Sequence, residues 1–389
     1  MVREIPFHQL PQTVKDAVKV TRRLGIRFLW IDALCIIQEG DESDKLRELG
    51  VMGRLYKSAT VTIAAASAAS VSEGFLQART ELPSIPMSFH CGGREMGIAH
   101  LIVQTGHDAM RLLDKRGWTL QEALLSPRKL VYGDIEQVWF CQTEHRKQFP
   151  GSPVFSFSLL GLLPNRILVP GGTMDIERAH SVWSRVVNMY TERQLSFPED
   201  RLAALMGLIA ELKPVFEDEC TFGIWHRNFV RQLAWYKFRR PSSVPNGDEE
   251  KALLSCAPAW SWASRYFPTM FARFEPYDEH CWKLKDNGLV LRGKLARAHD
   301  VPVNGRGGWT FDWDMPSPEL LEPLFVAEYD GRDVYYFLLG HEPDFECRKL
   351  LLALVQHGLQ GVYRRIGLAY SPTQTTAFDN EESQEFTLV

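Results

Sequence analysis

The chain has 389 residues, of which 45% are hydrophobic and 24% charged, with a formal net charge of −4. This length exceeds one ordinary hydrophobic core and predicts two domains, in a composition typical of soluble globular proteins. The small net charge gives no electrostatic reason to expect nucleic acid or an anionic membrane as a partner, and no apolar run is long enough to span a bilayer.

Helical and extended patterns alternate over the first 66 residues. Pro11 opens a helix that Gly25 ends, and a second amphipathic helix runs from Leu46 to Tyr56. The apolar run at 28–31 predicts a strand covered on both faces, and 60–66 predicts a second strand. This order predicts an α/β domain with a parallel sheet and helical crossovers.

The next segment is less regular. It predicts a short strand over 101–103, a helix over about 119–125, and a hairpin that pairs 129–132 with 137–141 around Gly133. We expect the first domain to cover residues 1–145.

The remaining chain is predicted as a mixed α+β region. A Pro- and Gly-containing connector covers 146–175, and a helical region covers 176–265. Its predicted helices start at Glu177, span 200–212, and include Trp225 to Trp235, and Trp260-Ser261-Trp262 alternates like a packed strand. A β-rich region covers 266–389, with clear strands at 289–291 and 334–339 and a frayed tail over the last fifteen residues.

The cysteine content and the N-terminal residues indicate the cellular compartment of the protein. Seven scattered cysteines without a Cys-x-x-Cys pair indicate reduced thiols rather than a disulfide framework or a structural zinc site. The first residues lack the apolar core of a signal peptide. We therefore expect a cytoplasmic protein.

Two short segments carry the most distinctive motifs. The first is Phe28–Ile36 (FLWIDALCI), and the second is Arg116–Glu122 (RGWTLQE). In this order they resemble the fungal heterokaryon-incompatibility (HET) domain family. Further motifs with the same resemblance, in chain order, are Leu10-Pro11, Met52–Tyr56, Gly74–Leu76, Ser126-x-Arg128, Trp183–Tyr190, Asp200–Leu205, Gly223–Trp225 and Ala257–Ser264.

One family feature is absent from this sequence. HET domains normally begin with a strand and turn of the type Leu-Ser-Tyr-x-Trp-Gly, whereas here only residues 1–9 precede the first helix. We therefore expect the first strand of the sheet to be missing.

The resemblance implies a role in fungal allorecognition and programmed cell death. It also implies a TIR-like, flavodoxin-like fold, because the HET domain is distantly similar to the TIR domain. Some TIR domains hydrolyse NAD with a glutamate four residues after a tryptophan, the spacing of Trp118 and Glu122. In that interpretation Glu122 is the catalytic carboxylate, Trp118 walls the nicotinamide or ribose, Asp32 binds a sugar hydroxyl, and Arg116 meets a phosphate. NAD would be a substrate, and no cofactor is expected.

Each of these residues also has a structural interpretation. Thr119-x-x-Glu122 fits a capping box, in which the glutamate serves only its own helix. Trp118 then belongs to the core, Asp32 caps a turn, and Arg116 is a surface ion-pair residue. In that case the protein is a non-catalytic interaction module that self-associates or binds other death-signalling proteins. The absent first strand favours this second alternative, and the two differ in whether Glu122 faces an open crevice near Asp32.

Overall fold

The computed structural model divides the chain into two compact units. Unit 1 comprises Met1–Gly171 with Met206–Leu208, and unit 2 comprises Gly172–Leu205 with Ile209–Val389. The structure describes residues 5–37, 42–78, 84–102, 111–134, 136–141, 145–147, 174–237, 255–277, 281–285, 288–297, 311–313, 334–342, 345–370, 376 and 378–389. Most of the predicted connector at 146–175 lies outside these ranges. Within them, no helix is both long and apolar enough to cross a membrane.

Unit 1 mixes helices and strands. Its helices are α1 (Gln12–Arg23), α2 (Asp32–Cys35), α3 (Glu42–Ser58), α4 (Arg111–Asp114) and α5 (Trp118–Leu125). Its strands are β1 (Thr62–Ala64), β2 (Ser84–Cys91), β3 (Arg94–Ile102), β4 (Arg128–Tyr132), β5 (Gln137–Cys141) and β6 (His145–Lys147). The predicted class of mixed α and β structure is confirmed.

The main sheet of unit 1 has the order β1-β4-β5-β6. Strand β1 lies parallel to β4, with Ile63 opposite Leu130, and the other two pairings are antiparallel. The predicted parallel sheet is therefore wrong for the sheet as a whole, because β5 and β6 are joined by local hairpin pairing rather than by helical crossovers. The predicted hairpin of β4 and β5 is confirmed, and the Gly133 amide closes it by donating to the Glu136 carbonyl at 3.0 Å. Strands β2 and β3 form a separate two-stranded hairpin, which contains part of the predicted 101–103 strand.

The predicted strand at 28–31 is wrong. These residues have no strand structure, and the Phe28 side chain is 82% exposed. In the described part of the chain, β1 is the edge strand of the sheet, and residues 28–31 do not pair with it. No backbone hydrogen bonds of the sheet therefore keep residues 28–31 extended. A run of four apolar residues does not by itself specify a strand, because a buried strand also needs neighbours for its backbone groups.

Unit 2 is helical first and β-rich later. Its helices are α6 (Ile176–Thr191), α7 (Asp200–Ala203), α8 (Met206–Phe216), whose first three residues are grouped with unit 1, and α9 (Phe229–Leu233). Its shorter strands are β7 (Cys220–Thr221), β8 (Ile224–Trp225), β9 (Trp235–Lys237), β10 (Thr269–Phe271), β11 (Glu275–Pro276), β12 (Cys281–Lys285) and β14 (Phe311–Trp313). The longer strands are β13 (Gly288–Arg297), β15 (Val334–Glu342), β16 (Phe345–Gln356), β17 (Val362–Tyr370) and β18 (Ser383–Leu388).

Buried tryptophans organise the helical part of unit 2. Trp183 of α6 and Trp262 are both fully buried, and both indole N–H groups donate to the Gly223 carbonyl at 2.9 Å. Gly223 has a φ of +79°, and a Cβ there would lie 2.7 Å from the Trp262 ring. Three of the sequence motifs, Trp183–Tyr190, Gly223–Trp225 and Ala257–Ser264, therefore serve packing. The predicted strand through Trp262 is wrong, because this residue begins a short 3₁₀ turn.

Two predicted helices of unit 2 are interrupted. The segment 200–212 divides into α7 and α8 around Ala204 and Leu205. The segment from Trp225 to Trp235 holds only the five-residue helix α9, flanked by the short strands β8 and β9. Apolar spacing alone did not reveal these breaks, since buried residues continue through them.

The predicted frayed tail is also wrong. Strand β18 lies inside the large sheet of unit 2, parallel to β17 and antiparallel to β13. Phe386 and Leu388 alternate with more exposed residues and are almost fully buried. The many polar residues of the tail made this alternation hard to recognise in the sequence. An alternation with a period of two residues is typical of a half-buried strand.

Candidate functional site

Helix α5 turns one face into the core of unit 1. Leu120, Leu124 and Leu125 are buried, and Gln121 is fully buried with its Oε1 accepting the Gly207 amide at 2.8 Å. Residue 207 belongs to the same unit. Because these residues occupy the inner face, Glu122 lies at the half-buried margin of the helix.

The ends of α5 are held by side chains other than Glu122. The Thr119 hydroxyl donates to the carbonyls of Leu113 and Arg116, the latter at 2.8 Å. At the other end, the Ser126 hydroxyl donates to the Glu122 carbonyl at 2.6 Å, and Lys129 Nζ donates to the Ala123 carbonyl at 2.9 Å. The donors at the second end satisfy carbonyls of the last turn that the helix itself leaves without partners.

The capping box predicted for Thr119 and Glu122 is wrong. The residue that precedes the helix is Gly117, which makes no side-chain cap, and Thr119 lies inside the first turn. In a capping box the threonine would be the residue that precedes the helix.

A cleft of about 680 Å³ adjoins this margin of α5. The residues that line it come from α1, the segment before α2, α3, β1, the region of α4 and α5, and β4. Its polar side chains include Tyr56, Asp114, Thr119, Glu122 and Lys129. The volume is in the range of small-molecule sites, which combine apolar walls with a few polar groups.

Tyr56 joins α3 to Glu122 at this cleft. Burial raises the pKa of Tyr56 far above its usual range, and the negative charges of Glu122 and Asp32 raise it further. The phenol donates a hydrogen bond to the Glu122 carboxylate, which also raises the pKa, while the Arg116 charge opposes these effects. The edge of the Trp30 ring contacts Tyr56 with 5.8 Å between ring centroids.

Three of the four predicted site residues thus act on one side chain. Glu122 lines the cleft, Asp32 is exposed as the first residue of α2 with its Oδ1 accepting the Ala33 amide at 2.8 Å, and Arg116 is exposed between α4 and α5. Trp118 is half-buried one turn before Glu122, and it is not among the residues that line the cleft. The charges of Asp32, Arg116 and Glu122 all affect the pKa of Tyr56.

Sequence reasoning did not single out Tyr56 or Trp30 as site residues. Tyr56 ends the apolar face of the predicted second helix, and Trp30 is part of the predicted strand. The sequence did offer one signal for Tyr56. A tyrosine that continues the apolar face of a helix needs a hydrogen-bond partner for its hydroxyl when it is buried. Within the described residues, no group of three or more His, Cys, Asp or Glu residues could hold a metal ion.

The comparisons with known proteins identify one family. The family model described as "Heterokaryon incompatibility protein (HET)" matches residues 2–122. No curated protein and no solved structure matches the chain. The matched stretch ends at Glu122 and includes Asp32, Tyr56 and Arg116. The chain therefore contains a heterokaryon-incompatibility (HET) domain in residues 2–122.

Proposed function

We propose that this protein signals in fungal allorecognition and programmed cell death, in the cytoplasm, and that its HET domain is a TIR-like NAD glycohydrolase with Glu122 as the catalytic carboxylate. The observation that carries the proposal is that Glu122 lines a large cleft and accepts a hydrogen bond from Tyr56. Its predicted alternative role, in a capping box, does not apply. Of the three pairings in the main sheet of unit 1, that of β1 with β4 is parallel, as a TIR-like sheet requires, and the other two are antiparallel.

The reaction balances with water as the only co-reactant. NAD⁺ and water give nicotinamide, ADP-ribose and a proton. The bond from ribose C1′ to the nicotinamide nitrogen breaks, its electron pair goes to that nitrogen, and a water oxygen bonds to C1′. Positive charge builds on the ribose in the transition state, as in glycoside hydrolysis. A fixed carboxylate at Glu122 stabilises this charge and accepts hydrogen bonds from the ribose hydroxyls.

The neighbouring residues have proposed roles in binding. Asp32 accepts a hydrogen bond from a sugar hydroxyl, and Arg116, exposed outside the cleft lining, pairs with a phosphate. Trp30, which lines the cleft, walls the nicotinamide or ribose, a role that the sequence assigned to Trp118, which does not line the cleft. Lys129 is assigned no phosphate, because its Nζ donates to the Ala123 carbonyl.

NAD consumption tests the proposal. We expect the purified full chain, at high concentration to allow self-association, to convert NAD to nicotinamide and ADP-ribose. Glu122→Gln keeps the size of the side chain and should abolish turnover while the protein stays folded. Glu192→Gln is the matched control, because Glu192 is an exposed glutamate that follows α6 in unit 2. A folded wild type without turnover, or equal turnover in Glu122→Gln, would contradict the proposal.

A second candidate function is a self-associating interaction module. The hairpin of β2 and β3 favours it, because the strand β2 is exposed along its whole length. Ile85, Met87 and Phe89 share one face of the strand and are each 54% exposed. An isolated two-stranded hairpin is marginally stable in water, so a partner that covers this face would stabilise it.

The occupant that this face fits best is a second copy of the chain. Strand β2 contains no Asp, Glu, Lys or Arg, so no like charges oppose the approach of an identical strand, and a charged partner would find no counter-charge on it. Met87→Lys should reduce self-association in sedimentation measurements across a concentration series. Ser88→Lys places the same charge on the opposite face and should leave self-association intact. A wild type that stays monomeric throughout would exclude this candidate.

A further inference from the structure

We propose that Tyr56 is a positioning residue of the cleft, whose phenol holds the Glu122 carboxylate in the orientation that the reaction requires. This inference rests on the proposed function for its catalytic consequence, but the contact between the two side chains can be tested without it. Tyr56 does not need to touch the reacting atoms, since its effect passes through Glu122.

The close packing of α3 against α5 lets the phenol reach Glu122. Gly53 lies one turn before Tyr56 on α3, and a Cβ at this glycine would lie 2.8 Å from Gly207 Cα and 3.1 Å from Leu125 Cδ1 on α5. A larger residue would collide first with the Gly207 backbone. Because residues three apart on a helix share a face, Tyr56 lies on the side of α3 that also meets Leu125 of α5. The absence of a side chain at Gly53 therefore permits the close packing in which the phenol reaches Glu122.

The surroundings of Tyr56 restrict its ring. Tyr56 is half-buried, and the Trp30 ring meets the phenol nearly perpendicularly, at 82° between the ring planes. An aromatic side chain packed in this way has few alternative rotamers. A hydrogen bond from a fixed donor restrains its acceptor, so the carboxylate of Glu122, at the half-buried margin of α5, loses rotational freedom before any ligand binds.

The charges around Tyr56 keep its phenol protonated, so that it remains a hydrogen-bond donor. Two carboxylates, Glu122 and Asp32, and one guanidinium, Arg116, act on it. Besides Glu122, the charged residues that line the cleft are Asp114 and Lys129. Burial and the carboxylates keep the pKa of Tyr56 well above its ordinary value. The hydroxyl therefore stays protonated over the working pH range and donates to Glu122 throughout it. A neutral donor orients the carboxylate without neutralising the charge that stabilises the ribose cation.

Tyr56→Phe, with Tyr132→Phe as its matched control, tests this inference. Tyr132 is another buried tyrosine of unit 1, and its ring packs on Phe75 rather than at the cleft. We would follow the carboxyl resonances of the full chain, labelled at glutamate Cδ, through a pH titration, and assign Glu122 by its loss in Glu122→Gln. Loss of the donor should move the Glu122 midpoint up by about one pH unit, because the bond favours the ionised form. Tyr132→Phe should leave it unchanged.

Kinetics of the same variants test the catalytic consequence. Tyr56→Phe should lower kcat for NAD about tenfold or more with a smaller change in KM, and move the acid limb of the kcat/KM profile to higher pH. A purely structural hydroxyl would change stability without moving that limb. In a chain labelled at tyrosine Cζ, Glu122→Gln should shift the Tyr56 resonance and leave that of Tyr132 in place, which tests the contact without a change at Tyr56.

The outcomes separate the two proposals. If the wild type consumes no NAD but the Glu122 midpoint moves in Tyr56→Phe, the proposed function fails, and the contact between Tyr56 and Glu122 stands without its catalytic role. If the wild type consumes NAD and Tyr56→Phe matches it in kcat and pH profile, the positioning role is overturned and the proposed function stands. An unchanged Glu122 midpoint, with no shift of the Tyr56 resonance in Glu122→Gln, overturns the contact itself.

Discussion

Replacement of Gly74 by alanine should disrupt the loop that joins β1 to the hairpin of β2 and β3. Gly74 has a φ of +79°, and a Cβ there would lie 2.5 Å from Asp16 Oδ2 and 2.7 Å from Gln12 Cγ. Asp16 is 2% exposed, and its Oδ2 accepts the amides of Phe75 at 3.0 Å and Leu76 at 3.3 Å. Alanine therefore collides with the carboxylate that holds this loop.

Two effects set the magnitude. A left-handed backbone costs alanine about 1 kcal/mol relative to glycine. Displacement of a buried carboxylate from its amide donors adds about 3 kcal/mol, because hydrogen bonds to charged groups are worth about 1.5–3 kcal/mol each. We expect Gly74→Ala to destabilise this part of unit 1 by about 4 kcal/mol. Gly25→Ala is the matched control, since Gly25 has a φ of +71° but nothing within 4 Å of its Cβ position.

Hydrogen–deuterium exchange of the full chain, read by mass spectrometry on peptides from α1 and residues 65–78, measures this local effect. Gly25→Ala should lower the opening free energy of these peptides by about 1 kcal/mol, and Gly74→Ala by several times more. Equal effects of the two substitutions would refute the argument, because the backbone penalty alone would then account for both.

Two further predictions concern unit 2. Burial, and secondarily the Arg231 charge, lower the pKa of His180 to about 4. The unfolded chain binds this proton from about pH 6.5 downward, so stability should fall between pH 6.5 and 4, and urea unfolding followed by tryptophan fluorescence should show a smaller loss in His180→Phe. Leu388→Ala should cost about 2–5 kcal/mol in the same assay, whereas Glu385→Ala, at an exposed position of β18, should cost about 0.5 kcal/mol or less. An intact unit 2 in Leu388→Ala would restore the prediction of a frayed tail.

Local patterns predicted the elements whose partners lie nearby in sequence. The hairpin of β4 and β5 follows from two apolar runs around Gly133, because turn and pairing are both local. The run at 28–31 looked equally strand-like, yet a strand in a parallel sheet depends on distant neighbours that periodicity does not report. Strand β18 shows the converse, since its place between β17 and β13 makes a polar tail part of the core.

The candidate site was predictable from the sequence only where its residues lie close together along the chain. The spacing of Trp118 and Glu122 on one helix is local, and the structure brings Asp32 and Arg116 into the electrostatic surroundings of one tyrosine. That this tyrosine is Tyr56 depends on the packing of α3 against α5, which the sequence of either helix alone does not specify. The residue types of the motif fit a capping box equally well. Only the position at which α5 begins, Trp118, argues against it.

The most direct test of the central claim is a product assay with purified full chain. Nicotinamide and ADP-ribose released from NAD would be quantified for the wild type, Glu122→Gln and Glu192→Gln at equal, high protein concentration. The account predicts equal amounts of the two products from the wild type and Glu192→Gln, and none from a folded Glu122→Gln. Undiminished product from Glu122→Gln, or no product from a well-folded wild type, would contradict it.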